Sequence, residues 1–208
     1  MNNNYQQILI ASNNYGKITE ITELLNQIKI QAISPLPFNL VEPEETALTF
    51  AENSLIKAKY YSTNTNLPAL ADDSGLCIEL LNGEPGVYSA RYAINPKNNQ
   101  KDFNYAFEKI FFELKKHNIT NDFQAKAYFI CDLCFFDPSK NFYKNFQGRV
   151  DGTICLKAKG NNGFGYDPIF IKDQMKQTFG EITKEQKEKI SHRYHAFDQF
   201  ATWFKNSS

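Results

Sequence analysis

Two runs of this chain restrict its fold more than any others. FQAKAYFICDLCFFD and KNFYKNFQGRVDGTICL each read as a long strand, and they join at Asp137-Pro138. Strands joined by so short a connection pair antiparallel. Elsewhere the apolar period changes from that of a strand to that of a helix. QQILIA, residues 6–11, is a short buried strand, and residues 12–17 form a turn. Ile18, Ile21, Leu24, Leu25 and Ile28 then repeat at helical spacing. Thr49-Phe-Ala-Glu52 has the form of a capping box, which predicts a second helix from near residue 50 to about 62. PALAD is the next strand, and Asn82-Gly83 marks a tight turn beyond it. Phe103, Phe107, Ile110, Phe111 and Leu114 mark a third helix. Thr183-Lys-Glu-Gln186 opens a short one that ends near Ile190, and Phe197, Phe200, Ala201 and Phe204 mark the last. Strands and helices are mixed, so the expected fold is α/β, a mixed β-sheet flanked by helices.

Bulk properties narrow the function classes. The chain has 208 residues, 42% of them apolar, with 18 Phe and 11 Tyr, enough for a sizeable core in one domain spanning 1–208 or one compact two-lobed unit. The formal net charge is zero, which argues against a nucleic-acid polymer as partner. No run reaches the ~18 apolar residues of a membrane span, and MNNNYQQ lacks the order of a signal peptide, so the expected location is cytoplasmic. Cys131 and Cys134 form a C-x-x-C. On a strand, residues three apart face opposite sides, so the pair cannot chelate one ion and reads as buried thiols.

Four polar clusters could carry chemistry, and each has a plain structural reading beside the functional one. Ser12-Asn13-Asn14-Tyr15-Gly16-Lys17 joins a strand to a helix. It is either an ordinary capped turn or a phosphate site made of backbone N–H groups and a lysine. Asp72-Asp73-Ser74-Gly75 is turn material and by itself reads as a surface loop. With Glu44-Glu45 it could also supply oxygen ligands to Mg²⁺, which needs only one or two carboxylates besides substrate phosphates. Lys57 lies two turns into the second helix. Gly163-Phe164-Gly165-Tyr166-Asp167 is either a tight turn with core aromatics or a stacking platform for a nucleobase. Ser191-His192-Arg193 is placed at the end of the helix that holds Lys187. There it is either electrostatically comfortable or a donor cluster for a base edge. Residues 12–17, 72–74 and 163–167 fall where strands are expected to end, as ligand sites in open α/β sheets do.

Taken together, ASNNYGKITEI, EETALTFAENSLIKA, LPALADDSGLCIELLNGEPGVYSARYA, GNNGFGYDPIF and EKISHR closely resemble the Ham1-type family of inosine triphosphate pyrophosphatases, in order and over nearly the whole chain. The resemblance overturns the surface-loop reading of Asp72-Asp73. It implies an elongated α/β fold of two lobes with a central active-site cleft, and a homodimer. The implied reaction is hydrolysis of non-canonical purine triphosphates such as ITP, dITP and XTP at the α-phosphorus, with Mg²⁺ as cofactor. By the same resemblance Asp73 is general base and metal-linked carboxylate, Asp72 assists, and Glu44 and Glu45 lie among the metal ligands. The loop Ser12, Asn13, Asn14, Tyr15, Gly16 and Lys17 binds the triphosphate, Lys57 is a second phosphate clamp and Ser74 a substrate contact. Phe164, Gly165, Tyr166, Asp167, Lys187, His192 and Arg193 form the base pocket.

The chain departs from the family pattern at Asn13, Ala47 and Asn162, where Gly is usual, and at Tyr194, where Gly is common. Asn tolerates positive φ better than other non-glycine residues, so the first loop is expected to survive. Two other readings stand beside this one. A Maf-type pyrophosphatase would select pyrimidine or modified nucleotides, and GFGYD and SHR argue against it. A nucleotide-binding module without turnover would have no need of Asp72, Asp73, Lys17 and Lys57 together.

Overall fold

The computed structural model describes residues 5–206; residues 1–4, part of the MNNNYQQ stretch, and 207–208 lie outside the described residues. The strands are β1 (Gln7–Ala11), β2 (Gln31–Ile33), β3 (Ala69–Ile78), β4 (Ile94–Asn95), β5 (Gln100–Lys101), β6 (Lys126–Asp137), β7 (Phe142–Ile154) and β8 (Phe170–Lys172). The helices are α1 (Tyr15–Gln27), α2 (Phe50–Thr65), α3 (Ser89–Tyr92), α4 (Phe103–Lys116), α5 (Lys184–Glu188) and α6 (His192–Asn206). Six strands form one sheet in the order β2-β1-β3-β6-β7-β8. β1 runs parallel to β2 and β3, and β7 runs antiparallel to β8, so the sheet is mixed as expected. Among the described residues, no helix is long and apolar enough to cross a membrane.

The chain divides into two compact units. One comprises the described residues within Met1–Asp73, Cys131–Gly148 and Arg193–Ser208; the other comprises Ser74–Ile130 and Arg149–His192. In the first unit both faces of the sheet are covered. Ile8, Ile10, Leu70, Cys131, Leu133 and Phe135 pack with α1 and α6 through Ile21, Leu24, Leu25, Ala196 and Phe200. Leu9, Ala11, Ala69, Ala71, Cys134 and Phe136 pack with α2 through Ala58 and Tyr61. The strand period of two sorts these sets, and it puts Cys131 and Cys134 in different cores. In the second unit Leu76, Ile78, Phe129, Val150, Ile154 and Phe170 form one core with α4 residues Phe107, Ile110 and Leu114. Each such side chain contributes roughly 1.5–3 kcal/mol on full burial.

Three expectations are corrected. Asp72-Asp73-Ser74-Gly75 is neither a loop nor a strand end; it lies in the middle of the ten-residue β3, with Asp72 0% and Asp73 4% exposed. Ser191-His192-Arg193 does not close the helix holding Lys187; α5 stops at Glu188 and His192 opens α6. The turn expected over 12–17 is shorter, because α1 already starts at Tyr15. At α2, Thr49 caps the helix as its motif predicts, accepting from the Glu52 N–H, while its own hydroxyl donates to the Glu52 carboxylate at 2.7 Å. The Thr183–Gln186 capping box at α5 is complete in both directions.

Candidate active site

A strand turns successive side chains to opposite faces, and that resolves the oddity of two adjacent carboxylates. Asp72 lies in register with Leu70, on the α1–α6 side; Asp73 lies in register with Ala71, on the α2 side. Each meets its own cations.

Asp72 is met by Lys17 of α1, whose Nζ lies 2.5 Å from Oδ1 and also donates to the Asp72 carbonyl at 3.3 Å. From α6, Arg193 donates Nε–H to Oδ2 at 2.7 Å and pairs through Nη1 with Glu20 of α1. The Cys131 thiol donates to the same Oδ2 at 3.0 Å. Burial raises the Asp72 pKa, but Arg193 and Lys17 outweigh it and hold the carboxyl well below its ordinary value. Burial and the Asp72 charge together push the Cys131 thiol far up, so it stays protonated and donates.

Asp73 has a different setting. Lys57 of α2, 2% exposed, places Nζ 3.1 Å from Oδ1 and also pairs with Glu45. The second oxygen, Oδ2, is buried and has no hydrogen-bond partner among the described residues. Burial is the largest influence and raises the pKa; Lys57 and Lys17 oppose it and Glu45 adds to it, leaving Asp73 pushed up to about 6. For Lys57 the order reverses. Burial lowers its pKa, yet Asp73 and Glu45 more than compensate and keep the ammonium charged. Glu45 is lowered because Lys57 outweighs its own burial. Neighbouring carboxyls are thus driven apart, one fixed as an anion and one poised near neutrality, as acid–base sites require.

The loop before α1 has the geometry of a capped turn. Asn14 Oδ1 accepts from the N–H groups of Gly16 and Lys17, and the Ser12 hydroxyl accepts from the Asn14 N–H. Asn13 needs no positive φ, so the loss of a glycine there is tolerated; its amide donates to the Leu40 carbonyl at 3.5 Å. Tyr15 is 79% exposed and Glu44 is exposed, whereas Glu45 turns inward to Lys57.

In the second unit, the turn before β8 builds another buried pair. Asp167, 2% exposed, accepts from the Phe164 N–H at 2.8 Å and from Lys187 Nζ at 2.7 Å. The same ammonium lies 4.7 Å from the centre of the half-buried Phe164 ring. Gly163, at φ +72°, is required here: a Cβ would sit 2.1 Å from Asp167 Oδ2. Gly165 also has positive φ. Tyr166 parts from Phe164; it belongs to the core, and its hydroxyl donates to the Ser89 carbonyl. His192 stacks on Phe129, with ring centres 4.7 Å apart. Asn162 keeps a normal φ and donates to the Ile182 carbonyl. Ser74 is half-buried on β3, and Tyr194 packs at the edge of the α1–α6 core.

The structure therefore gathers Lys17, Glu45, Lys57, Asp72, Asp73 and Arg193 in one unit. It gathers Phe164, Asp167 and Lys187 in the other. Arg193, expected with the base-pocket residues, stands on the carboxylates. Sequence reasoning missed Glu20, one helical turn beyond Lys17 on α1, and Asn53, one turn before Lys57 on α2; same-face spacing was the available signal for both. Among the described residues, no three His, Cys, Asp or Glu side chains converge as a metal cluster. An octahedral Mg²⁺ does not need three. The orphaned Asp73 oxygen, with Glu45 held on the same lysine, fits an ion that takes most of its ligands from water and phosphate.

Comparison with known proteins matches residues 8–203 to the model of the Ham1 family. A protein from Zymomonas mobilis named dITP/XTP pyrophosphatase is 41% identical over 193 residues, 93% of this chain and 89% of its own length. One from Dictyoglomus thermophilum with the same name is 42% identical, covering 92% and 91%. The solved structure of a HAM1 protein from Coxiella burnetii superposes with a TM-score of 0.83 at 36% identity, covering 96% of this chain and 98% of that one. The Staphylococcus aureus Ham1 protein gives 0.81 at 36% identity, covering 97% and 100%.

Proposed function

The chain belongs to the Ham1 family, and from that premise we propose that it hydrolyses non-canonical purine nucleoside triphosphates, ITP, dITP and XTP, to the monophosphate and pyrophosphate. The observation that carries the chemistry is Asp73: buried, one oxygen on Lys57, the other without a hydrogen bond, and a pKa raised to about 6. Such a carboxylate accepts a proton from water near neutral pH, which makes it the general base for attack at the α-phosphorus. Asp72 is held ionised by Lys17 and Arg193 and keeps Lys17 in place. Lys17 and Lys57 offset the charge that moves onto the pyrophosphate leaving group. Ser12, Asn14 and the first turn of α1 orient the phosphate chain.

A divalent cation, Mg²⁺ by its fit to few carboxylates, would be held by Asp73 and Glu45. When bound it neutralises the phosphates and makes attack by water easier. Phe164 offers its face to the base. Lys187, oriented by Asp167, supplies a donor for a 6-oxo group. Adenine's amino group at that position would face a like donor, at roughly 1–3 kcal/mol for an unsatisfied buried group. Ser74 and His192 complete the set of substrate contacts. The resemblance supports a cytoplasmic homodimer as the working form.

Release of pyrophosphate and orthophosphate from ITP, GTP, ATP and UTP, with and without Mg²⁺, tests this reading. Mg²⁺-dependent pyrophosphate from ITP, far above the other three, is expected. Equal rates on UTP would favour a pyrimidine-tolerant enzyme, and ITP binding with no product would leave a binding module.

A further inference from the structure

The segment that carries Glu45, residues 39–49, has no helix or strand, and its apolar residues Val41 and Leu48 are 79% and 78% exposed. Leu40 packs against the α2-side core and its carbonyl accepts from Asn13, but beyond it little apolar burial holds the segment, so the stretch around Glu45 depends on polar anchors. One is the Lys57–Glu45 pair. The other is Asn53, fully buried on α2, whose Oδ1 accepts from the Ala47 N–H at 3.0 Å and whose Nδ2 donates to the Ala47 carbonyl at 3.3 Å. Both hydrogen-bonding groups of a single residue are thus held by one side-chain amide. Asn53 and Lys57 are four apart, on one face of α2. That face grips the acidic segment twice, two residues apart, and only the Lys57–Glu45 grip is an ion pair.

We propose that Asn53 is a positioning residue for the reaction: by fixing Ala47 it sets the register of the segment, and so where the Glu45 carboxylate stands beside Lys57 and Asp73. The inference rests on the reading of Glu45 and Asp73 given above. Without Asn53 the Ala47 N–H and carbonyl turn to water, so the fold is retained, while Glu45 samples many positions.

A double-mutant cycle on ITP hydrolysis, with amide exchange as a second readout, tests it. Asn53→Ala is expected to lower kcat more than tenfold in the wild-type background and less than twofold in Glu45→Gln, with KM for ITP within threefold. Exchange of the Ala47 amide should quicken at least tenfold, and thermal melts should show both variants folded at the assay temperature. Asn53→Asp keeps the acceptor for the Ala47 N–H and loses the donor, and should fall between wild type and Asn53→Ala. An equal loss in both backgrounds would make Asn53 merely structural and overturn the proposal, as would unchanged Ala47 exchange. If the wild-type protein does not hydrolyse ITP, the proposed function fails while the exchange measurement still decides whether Asn53 holds the segment.

Discussion

Removing Arg193 separates two accounts of that residue. Arg193 is 1% exposed, and its guanidinium joins Asp72 to Glu20. Arg193→Met keeps the length and apolar stem but leaves Lys17 and the Cys131 thiol to support a fully buried carboxylate. Breaking a buried ion pair from one side costs about 3–5 kcal/mol, because the remaining charge is stranded. For a chain of this size, at about 2–4 °C per kcal/mol, Tm should fall by roughly 6–20 °C. The pH dependence has a definite sign. The folded pKa of Asp72 lies below its unfolded value of 3.8, so its stabilisation is present above that value and lost as pH falls through the folded pKa. Arg193→Met raises the folded pKa, so acid unfolding should begin at a higher pH. Urea titrations between pH 3 and 8 measure both effects. Asp72→Asn with Arg193→Met should cost less than the sum of the single changes. A loss under about 1 kcal/mol with an unmoved acid limb, or a rise in KM for ITP without any loss of stability, would refute the structural role and return Arg193 to the base pocket.

Asp73→Asn should fold and lose roughly 10²–10⁴-fold in kcat, read by pyrophosphate release; near-normal turnover would remove Asp73 as base. In the metal-free protein Asp73 acts on stability in the sense opposite to Asp72. Its folded pKa, about 6, exceeds the unfolded 3.8, so its contribution is full below 3.8 and lost as pH rises through 6. Asp73→Asn should flatten that part of the stability–pH curve, and an unchanged slope would contradict the raised pKa. Phe164→Ala should raise KM for every nucleotide roughly 5–150-fold, the equivalent of about 1–3 kcal/mol of stacking, with selectivity little changed. Gly163→Ala places a methyl against Asp167 at positive φ; KM should rise with a loss of about 1–3 kcal/mol in stability, both measurable on one preparation.

Elements with a clean local period were legible. The run from Phe103 to Leu114, the two long strands around Asp137-Pro138 and the Thr183 capping box all lie where their patterns place them. The opposite facing of Cys131 and Cys134 followed from the strand period alone. Asp72-Asp73 was misplaced because local chemistry favours a turn, and what keeps those carboxylates inside a strand is remote in sequence. Lys17 is 55 residues away and Arg193 is 121. Three cations from three helices outweigh the turn propensity of Asp-Asp-Ser-Gly. Ser191-His192-Arg193 was assigned to the wrong helix because His and Arg suit a helix C-terminus, whereas a partner for Arg193 on β3 draws it into the start of α6. Phe164 and Tyr166 sit two apart in one motif, and only tertiary packing tells the half-buried ring from the core one. The loop 39–49 carried no periodic signal, so the inward turn of Glu45 could not be read from it, and Asn53 was signalled only by its place one turn before Lys57 on α2.

The central claim is that Asp73 activates a water that attacks the α-phosphorus. Hydrolysis of ITP in ¹⁸O-water under single-turnover conditions tests it most directly, by mass spectrometry of both products. The account predicts one ¹⁸O in inosine monophosphate and none in pyrophosphate. Label in pyrophosphate, or its appearance in orthophosphate, would place the attack at another phosphorus and contradict the role given to Asp73.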